Sequence, residues 1–160
     1  MDTKKVFDFL KQNEIEYKLH EHHAVFTCEE AEEHCGHIPG IHSKNLFLKS
    51  RKPDKYYLVI LPEYKRLDLK KMEDILGVKL SFAAEKYLIS ILGLKQGSVS
   101  PFGLINDTEK ITSLYIDEDV LNSDIISYHP NVNTATLELT QDNFRKYLGC
   151  LDLEYKEIKM

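Results

Sequence analysis

Lys44-Asn45-Leu46-Phe47-Leu48-Lys49-Ser50-Arg51-Lys52-Pro53-Asp54-Lys55-Tyr56-Tyr57-Leu58-Val59-Ile60-Leu61 holds two apolar-rich runs separated by a basic turn that contains a proline. Both runs, 44–49 and 56–61, have the length and the aliphatic and aromatic content of strands, so the stretch reads as a β-hairpin with a longer loop. Such a hairpin belongs in the middle of a sheet. Its turn, 49–55, reads either as a solvated connection or as an edge that contacts phosphate.

Working outward towards the N-terminus, Gly36-His37-Ile38-Pro39-Gly40 reads as a loop. Thr27-Cys28-Glu29-Glu30 has the spacing of a capping box, which predicts a helix over about 29–35 ending at Gly36. Tyr17-Lys18-Leu19-His20 alternates as a half-buried strand does, and Thr3 can cap a first helix with Val6, Phe7 and Leu10 on one face and Asn13 as its stop. Towards the C-terminus, Asp68 caps a helix with Leu69, Met72, Ile75 and Leu76 on one face, closed by Gly77. A strand over 79–82 and a helix over 85–92, closed by Gly93, lead into the loop Gly97-Ser98-Val99-Ser100-Pro101-Phe102-Gly103. Strands follow over 111–116, 125–128 and 134–139, with a turn or small helix near Asp119. Thr140 caps a last helix through Phe144, Tyr147 and Leu148, and 151–158 returns as an edge strand. Strands in hairpins with helices inserted between them make the fold class α+β, with a mixed sheet rather than a doubly wound one.

A chain of 160 residues, 42% hydrophobic and 29% charged, is expected to form a single domain over 1–160 and to bury a core without disulfides or metal. Cys28, Cys35 and Cys150 are odd in number and irregularly spaced, which fits three reduced thiols. No apolar run approaches the roughly 20 residues of a membrane span, and Met1-Asp2-Thr3-Lys4-Lys5 lacks the apolar segment of a signal peptide, so a cytoplasmic protein is expected. A net charge of −5 argues against a general nucleic-acid binder but leaves room for one that grips a few nucleotides.

Three segments offer chemistry. The loop 97–103 is neither a phosphate-binding P-loop nor a dinucleotide fingerprint, because the lysine and the glycine spacing those motifs need are absent. It reads either as a tight turn or as a cradle of backbone amides, since glycines at both ends permit backbone angles closed to other residues. Lys44, opening an apolar strand, reads either as an exposed lysine at a strand end or as an ammonium brought to the end of the sheet, where it suits a phosphate, a carboxylate or an oxyanion; Asn45 either adds an amide or is a simple turn residue. His129 precedes Pro130 and heads a polar run with Asn131, Asn133, Thr134 and Thr136; it is either structural or able to orient water or donate to an oxyanion. His20, His22, His23, Cys28, His34, Cys35, His37 and His42 crowd the N-terminal quarter without the paired spacing of a zinc site. No metal site is expected from them. Ser98 and Ser100 lack the frame of a nucleophile elbow, which disfavours a covalent serine mechanism.

Taken in order, His23-Ala24-Val25-Phe26-Thr27, Lys44-Asn45-Leu46-Phe47-Leu48, Leu58 to Pro62 with Lys65-Arg66-Leu67-Asp68, the loop 97–103 and His129-Pro130-Asn131-Val132-Asn133-Thr134-Ala135-Thr136 resemble the prolyl-tRNA editing domain family, YbaK or ProX type. Ser100 to Asp107 and the His129-Pro130 element look most like the alanyl-tRNA(Pro) deacylases of that family. The resemblance implies a barrel-like, largely antiparallel central sheet packed by helices. It also implies hydrolysis, without a cofactor, of the ester joining a wrong amino acid to the 3′ end of tRNA(Pro), with contact to a synthetase left open. By position, Lys44 would hold the terminal adenosine or the reacting group, Asn45 would orient it, Gly97 and its neighbours would offer amides to the substrate carbonyl, and His129 would line the pocket. Phe26, Ile41, Phe47 and Phe102 would shape a small side-chain pocket, with Thr27, Ser98, Pro101 and Gly103 also at the substrate. Core packing is the competing account of the four apolar residues, and helix capping that of Thr27.

Overall fold

The computed structural model describes residues 3–22, 40–51, 54–128, 130 and 134–160. The helix expected over 29–35 and the candidates Phe26, Thr27 and His129 lie outside the described residues.

Eight strands form one mixed sheet: β1 (Lys18–Glu21), β2 (Ile41–Ser50), β3 (Tyr56–Pro62), β4 (Leu80–Phe82), β5 (Thr112–Asp117), β6 (Ile125–Tyr128), β7 (Ala135–Thr140) and β8 (Tyr155–Ile158). Their order is β1-β7-β6-β2-β3-β5-β8, with β4 also paired to β2. The expected hairpin stands at the centre, β2 against β3 antiparallel from Ser43↔Pro62 to Lys49↔Tyr56. β2 joins β6 in parallel, as β3 joins β5 and β5 joins β8; the remaining pairs are antiparallel.

β3 explains its own position, since every residue from Tyr57 to Pro62 is buried and only a strand covered on both faces tolerates that run. Leu58 and Ile60 enter the larger apolar cluster with Phe47, Phe102, Tyr128, Phe144 and Tyr147. Tyr57, Val59 and Leu61 enter a smaller cluster with Leu48, Met72 and Leu80 on the other face. Each fully buried aliphatic side chain here contributes about 1.5–3 kcal/mol from surface removed from water.

Helices cover both faces: α1 (Thr3–Gln12), α2 (Leu69–Leu76), a single turn α3 (Glu85–Tyr87), α4 (Glu118–Leu121) and α5 (Gln141–Cys150). The caps follow the sequence: Asp68 accepts from the Lys71 amide, Gly77 closes α2 at φ 71°, and Thr140 accepts from the Asn143 amide. Four expectations change. β2 begins at Ile41 rather than Lys44, because Ile41 and His42 pair with Ile126 and Ser127 of β6. The helix expected over 85–92 is one α-turn followed by a π-helical turn, Leu88–Leu92, still closed by Gly93 at φ 67°. The second half of the loop 97–103 is the start of a 3₁₀ helix, Pro101–Asn106, with proline at its first position, where a missing N–H costs nothing. Leu19 of β1 is exposed rather than half-buried, since among the described residues β1 is an edge strand paired with β7 alone.

Candidate functional site

β2 changes partners along its length. β6 holds it at Ile41 and His42, and β4 at Leu48 to Ser50, both on the side away from β3. Between them, residues 43–46 have no strand on that side among the described residues. The loop before the 3₁₀ helix comes to that gap: the Asn45 side-chain amide donates to the Val99 carbonyl at 3.2 Å across a sequence separation of 54. Two of the segments singled out by sequence thus meet.

The loop is built on its glycines and Ser100. Gly97 sits at φ 89°, a left-handed backbone that suits glycine, and the next amide, of Ser98, donates to the Lys95 carbonyl at 3.1 Å. Ser100, fully buried, caps the 3₁₀ helix: its hydroxyl accepts from the Phe102 amide and its carbonyl from the Gly103 amide, each at 3.1 Å. Gly103 does not need a left-handed angle; its constraint is space, since a Cβ would lie 2.6 Å from Leu94 Cδ1. Among the described residues, the amides of Gly97, Val99 and Ser100 meet no acceptor. A segment with free amides on successive residues can take up an anionic oxygen.

The loop's far side is anchored in the core. Tyr147 of α5 donates its hydroxyl to the Pro101 carbonyl at 2.7 Å, and Phe102 meets Tyr128 and Tyr147 edge-on at 6.3 and 5.1 Å. Gly93 and Asn106 close its two ends, the Asn106 amide donating to the Leu92 carbonyl at 2.8 Å. Of the apolar candidates, Phe102 and Phe47 are buried in the larger cluster and Ile41 packs against it, so core packing accounts for their burial. Phe47 also stacks on Tyr56.

Strand alternation separates the other pair of candidates. Asn45 stands opposite Ile60 on the face of the larger cluster, whereas Lys44 stands opposite Leu61, on the face of the smaller one. Lys44 is partly exposed and has no polar partner among the described residues. It lies within β2 rather than opening it, beside the gap at 43–46.

The same alternation shows residues that sequence reasoning missed. Ser43 shares the face of Asn45, and Tyr128 ends the neighbouring β6. Ser43 Oγ, Asn45 Oδ1 and Tyr128 Oη are buried, and none has a hydrogen-bond partner among the described residues. Burial pushes the Tyr128 hydroxyl far above the ordinary tyrosine range, while the Ser43 hydroxyl beside it pulls the other way. The Ser43 hydroxyl thus lies close to that of Tyr128, though the pair does not meet the geometry of a hydrogen bond. Neither was legible in sequence: Ser43 precedes the strand expected from Lys44, and the approach of Tyr128 depends on the pairing of β2 with β6.

Among the described residues, no three His, Cys, Asp or Glu side chains converge as metal ligands. His20 binds Glu138 at 3.0 Å and His22 binds Thr136 at 2.8 Å. His23, Cys28, His34, Cys35 and His37 lie outside the described residues. No helix among the described residues is long and apolar enough to cross a membrane.

Residues 22–147 match the family model of the aminoacyl-tRNA editing domain. The chain is 36% identical to the prolyl-tRNA editing protein ProX of Acetoanaerobium sticklandii, covering 100% of this chain and 99% of that protein. It is 34% identical to the prolyl-tRNA synthetase associated domain-containing protein 1 of Danio rerio, over 91% of this chain and 80% of that protein. A solved structure of a candidate trans-editing enzyme for prolyl tRNA synthetase superposes with a TM-score of 0.75 at 23% identity, covering 99% of this chain and 96% of that one. At that identity the likeness speaks for the fold alone.

Proposed function

From the premise that this chain belongs to the aminoacyl-tRNA editing domain family, we propose that it is a trans-editing deacylase that hydrolyses mischarged alanyl-tRNA(Pro). The observation that carries the reading is the junction of Asn45 with the Val99 carbonyl, which sets an asparagine side chain beside amides without acceptors. Attack of water on the ester carbon puts negative charge on the carbonyl oxygen, and the amides of Gly97 and Val99 are the donors proposed to receive it. One such preorganised donor is worth about 3–4 kcal/mol of barrier. The C–O bond to the ribose then breaks, the ribose oxygen takes a proton, and free amino acid and uncharged tRNA leave. A hydroxyl of the terminal ribose is available as the general base, so no side chain need supply one.

Lys44, on the opposite face from Asn45, fits the terminal adenosine better than the ester, since its flexible four-carbon stem can pass the open edge of β2. His129 is proposed to line the pocket. A pocket closed to proline but open to alanine supplies what a synthetase cannot, because missing methylenes are worth only about 1–3 kcal/mol in binding. Few phosphates need be gripped, in keeping with a net charge of −5.

The test compares alanyl-tRNA(Pro) with alanyl-tRNA(Ala), prolyl-tRNA(Pro), cysteinyl-tRNA(Pro) and seryl-tRNA(Pro). Rapid release of alanine from tRNA(Pro), with prolyl-tRNA(Pro) untouched, is expected. Faster release of cysteine or serine would reassign the amino acid. Tight binding with no hydrolysis of any substrate would make the chain a noncatalytic binding module.

A further inference from the structure

We propose that Ser43, Asn45 and Tyr128 form a receptor for the α-amino group of the aminoacyl ester, a role that rests on reading the site as a deacylase. Three buried polar atoms without partners, on adjoining strands and one face of the sheet, share a missing partner more readily than they fail separately. All three are oxygens. Asn45 Oδ1 is an acceptor only, because the other end of the same amide is committed to Val99. The Ser43 and Tyr128 hydroxyls can each accept as well as donate. Asn45 Oδ1 can be met only by a donor, and the two hydroxyls accept as readily as they donate, so an amine or ammonium can meet all three at once, whereas a carboxylate, phosphate or methyl group leaves Asn45 Oδ1 unmet.

The position suits the substrate. The Asn45 amide bridges the orphaned oxygens to the loop 97–103, and in an aminoacyl ester the amino nitrogen lies one carbon away from the carbonyl that the loop amides would receive. Phe102 meets the Tyr128 ring edge-on, with both rings buried, so the polar atoms stand in a water-poor setting where a matched donor counts for more.

The probes are two non-hydrolysable adenosine 3′-amides, one carrying alanine and one carrying propionate, which differ only in the amino group. Calorimetric titration is run on the whole chain and on Tyr128→Phe and Ser43→Ala, with thermal unfolding confirming that each variant is folded. The unsubstituted chain is expected to prefer the alanyl amide by about tenfold or more. Each variant is expected to lose most of that preference while binding the propionyl amide within about twofold of the unsubstituted chain. Should Tyr128→Phe fail to fold, Ser43→Ala decides. The proposal is overturned if the unsubstituted chain does not bind the alanyl amide or shows no preference for it. It is equally overturned if the variants keep the preference, or weaken both amides alike as a purely structural role would. Preference for the alanyl amide without any ester hydrolysis would sink the deacylase reading instead; hydrolysis without the preference would sink the receptor alone.

Discussion

Asn45 commits one end of its side-chain amide to Val99 and leaves the other without a partner, while Lys44 beside it is turned to the opposite face. Neighbours in a strand cannot share a face, so an adjacent Lys-Asn pair has to serve two places. Replacing Lys44 by Ala, which removes its proposed hold on the terminal adenosine, is expected to abolish turnover of alanyl-tRNA(Pro), a fall of about a hundredfold or more, while the unfolding midpoint stays within about 2 °C. Steady-state deacylation and a thermal melt on the same preparation check this, and unchanged turnover would remove Lys44 from the mechanism. That Asn45 belongs to a site was legible from its motif. Its partner was not, because Val99 lies 54 residues away and a backbone carbonyl carries no mark in sequence.

At the scale of elements, the hairpin, both caps of α2 and the start of α5 follow from local signals: apolar runs of strand length, an Asp or Thr before a helix, a Gly after it. The beginning of β2 does not. Ile41 to Ser43 carries little alternation, and it is strand because β6 is there to pair with it. Gly40 makes that approach feasible: it sits at φ 95°, and a Cβ there would lie 2.6 Å from the Ile125 carbonyl oxygen. Gly40→Ala is expected to cost roughly 2–4 kcal/mol, a left-handed penalty plus overpacking against backbone that cannot move aside. Urea unfolding would report it as a lower midpoint at an unchanged slope, and a midpoint equal to the parent's would refute it.

Across the whole molecule, Asp117 gathers distant parts of the chain. Its buried carboxylate accepts from Lys65 after β3, from the Asp119 amide at the head of α4 and from the Met160 amide beyond β8, at 3.0, 2.9 and 3.0 Å. Asp119 extends the cluster, accepting from the Tyr64 hydroxyl at 2.7 Å and pairing with Lys65 at 3.1 Å. The Tyr64 hydrogen bond, and then that of Lys65, hold the Asp119 carboxyl below its ordinary range. A carboxyl depressed by folding adds stability above its unfolded value, near pH 4, and loses it as pH falls through the folded one. The melting temperature of Asp119→Asn is accordingly expected to lie slightly below the parent's at pH 7 and to converge with it as the pH falls through the lowered folded value. A gap that persists unchanged into acid would rule out the charge as its source. By itself, the sequence determined most of the strands and helices and their ends, the α+β class and the family motifs, because capping, periodicity and glycine placement act within a few residues. Only the tertiary structure decided that β6 extends β2, that Asn45 meets the loop 97–103, that Lys44 faces away, and that Ser43 and Tyr128 join Asn45 with three unpartnered oxygens. Those outcomes depend on which strands lie side by side, a choice made by burying both faces of β3 at once and invisible to any window of neighbouring residues.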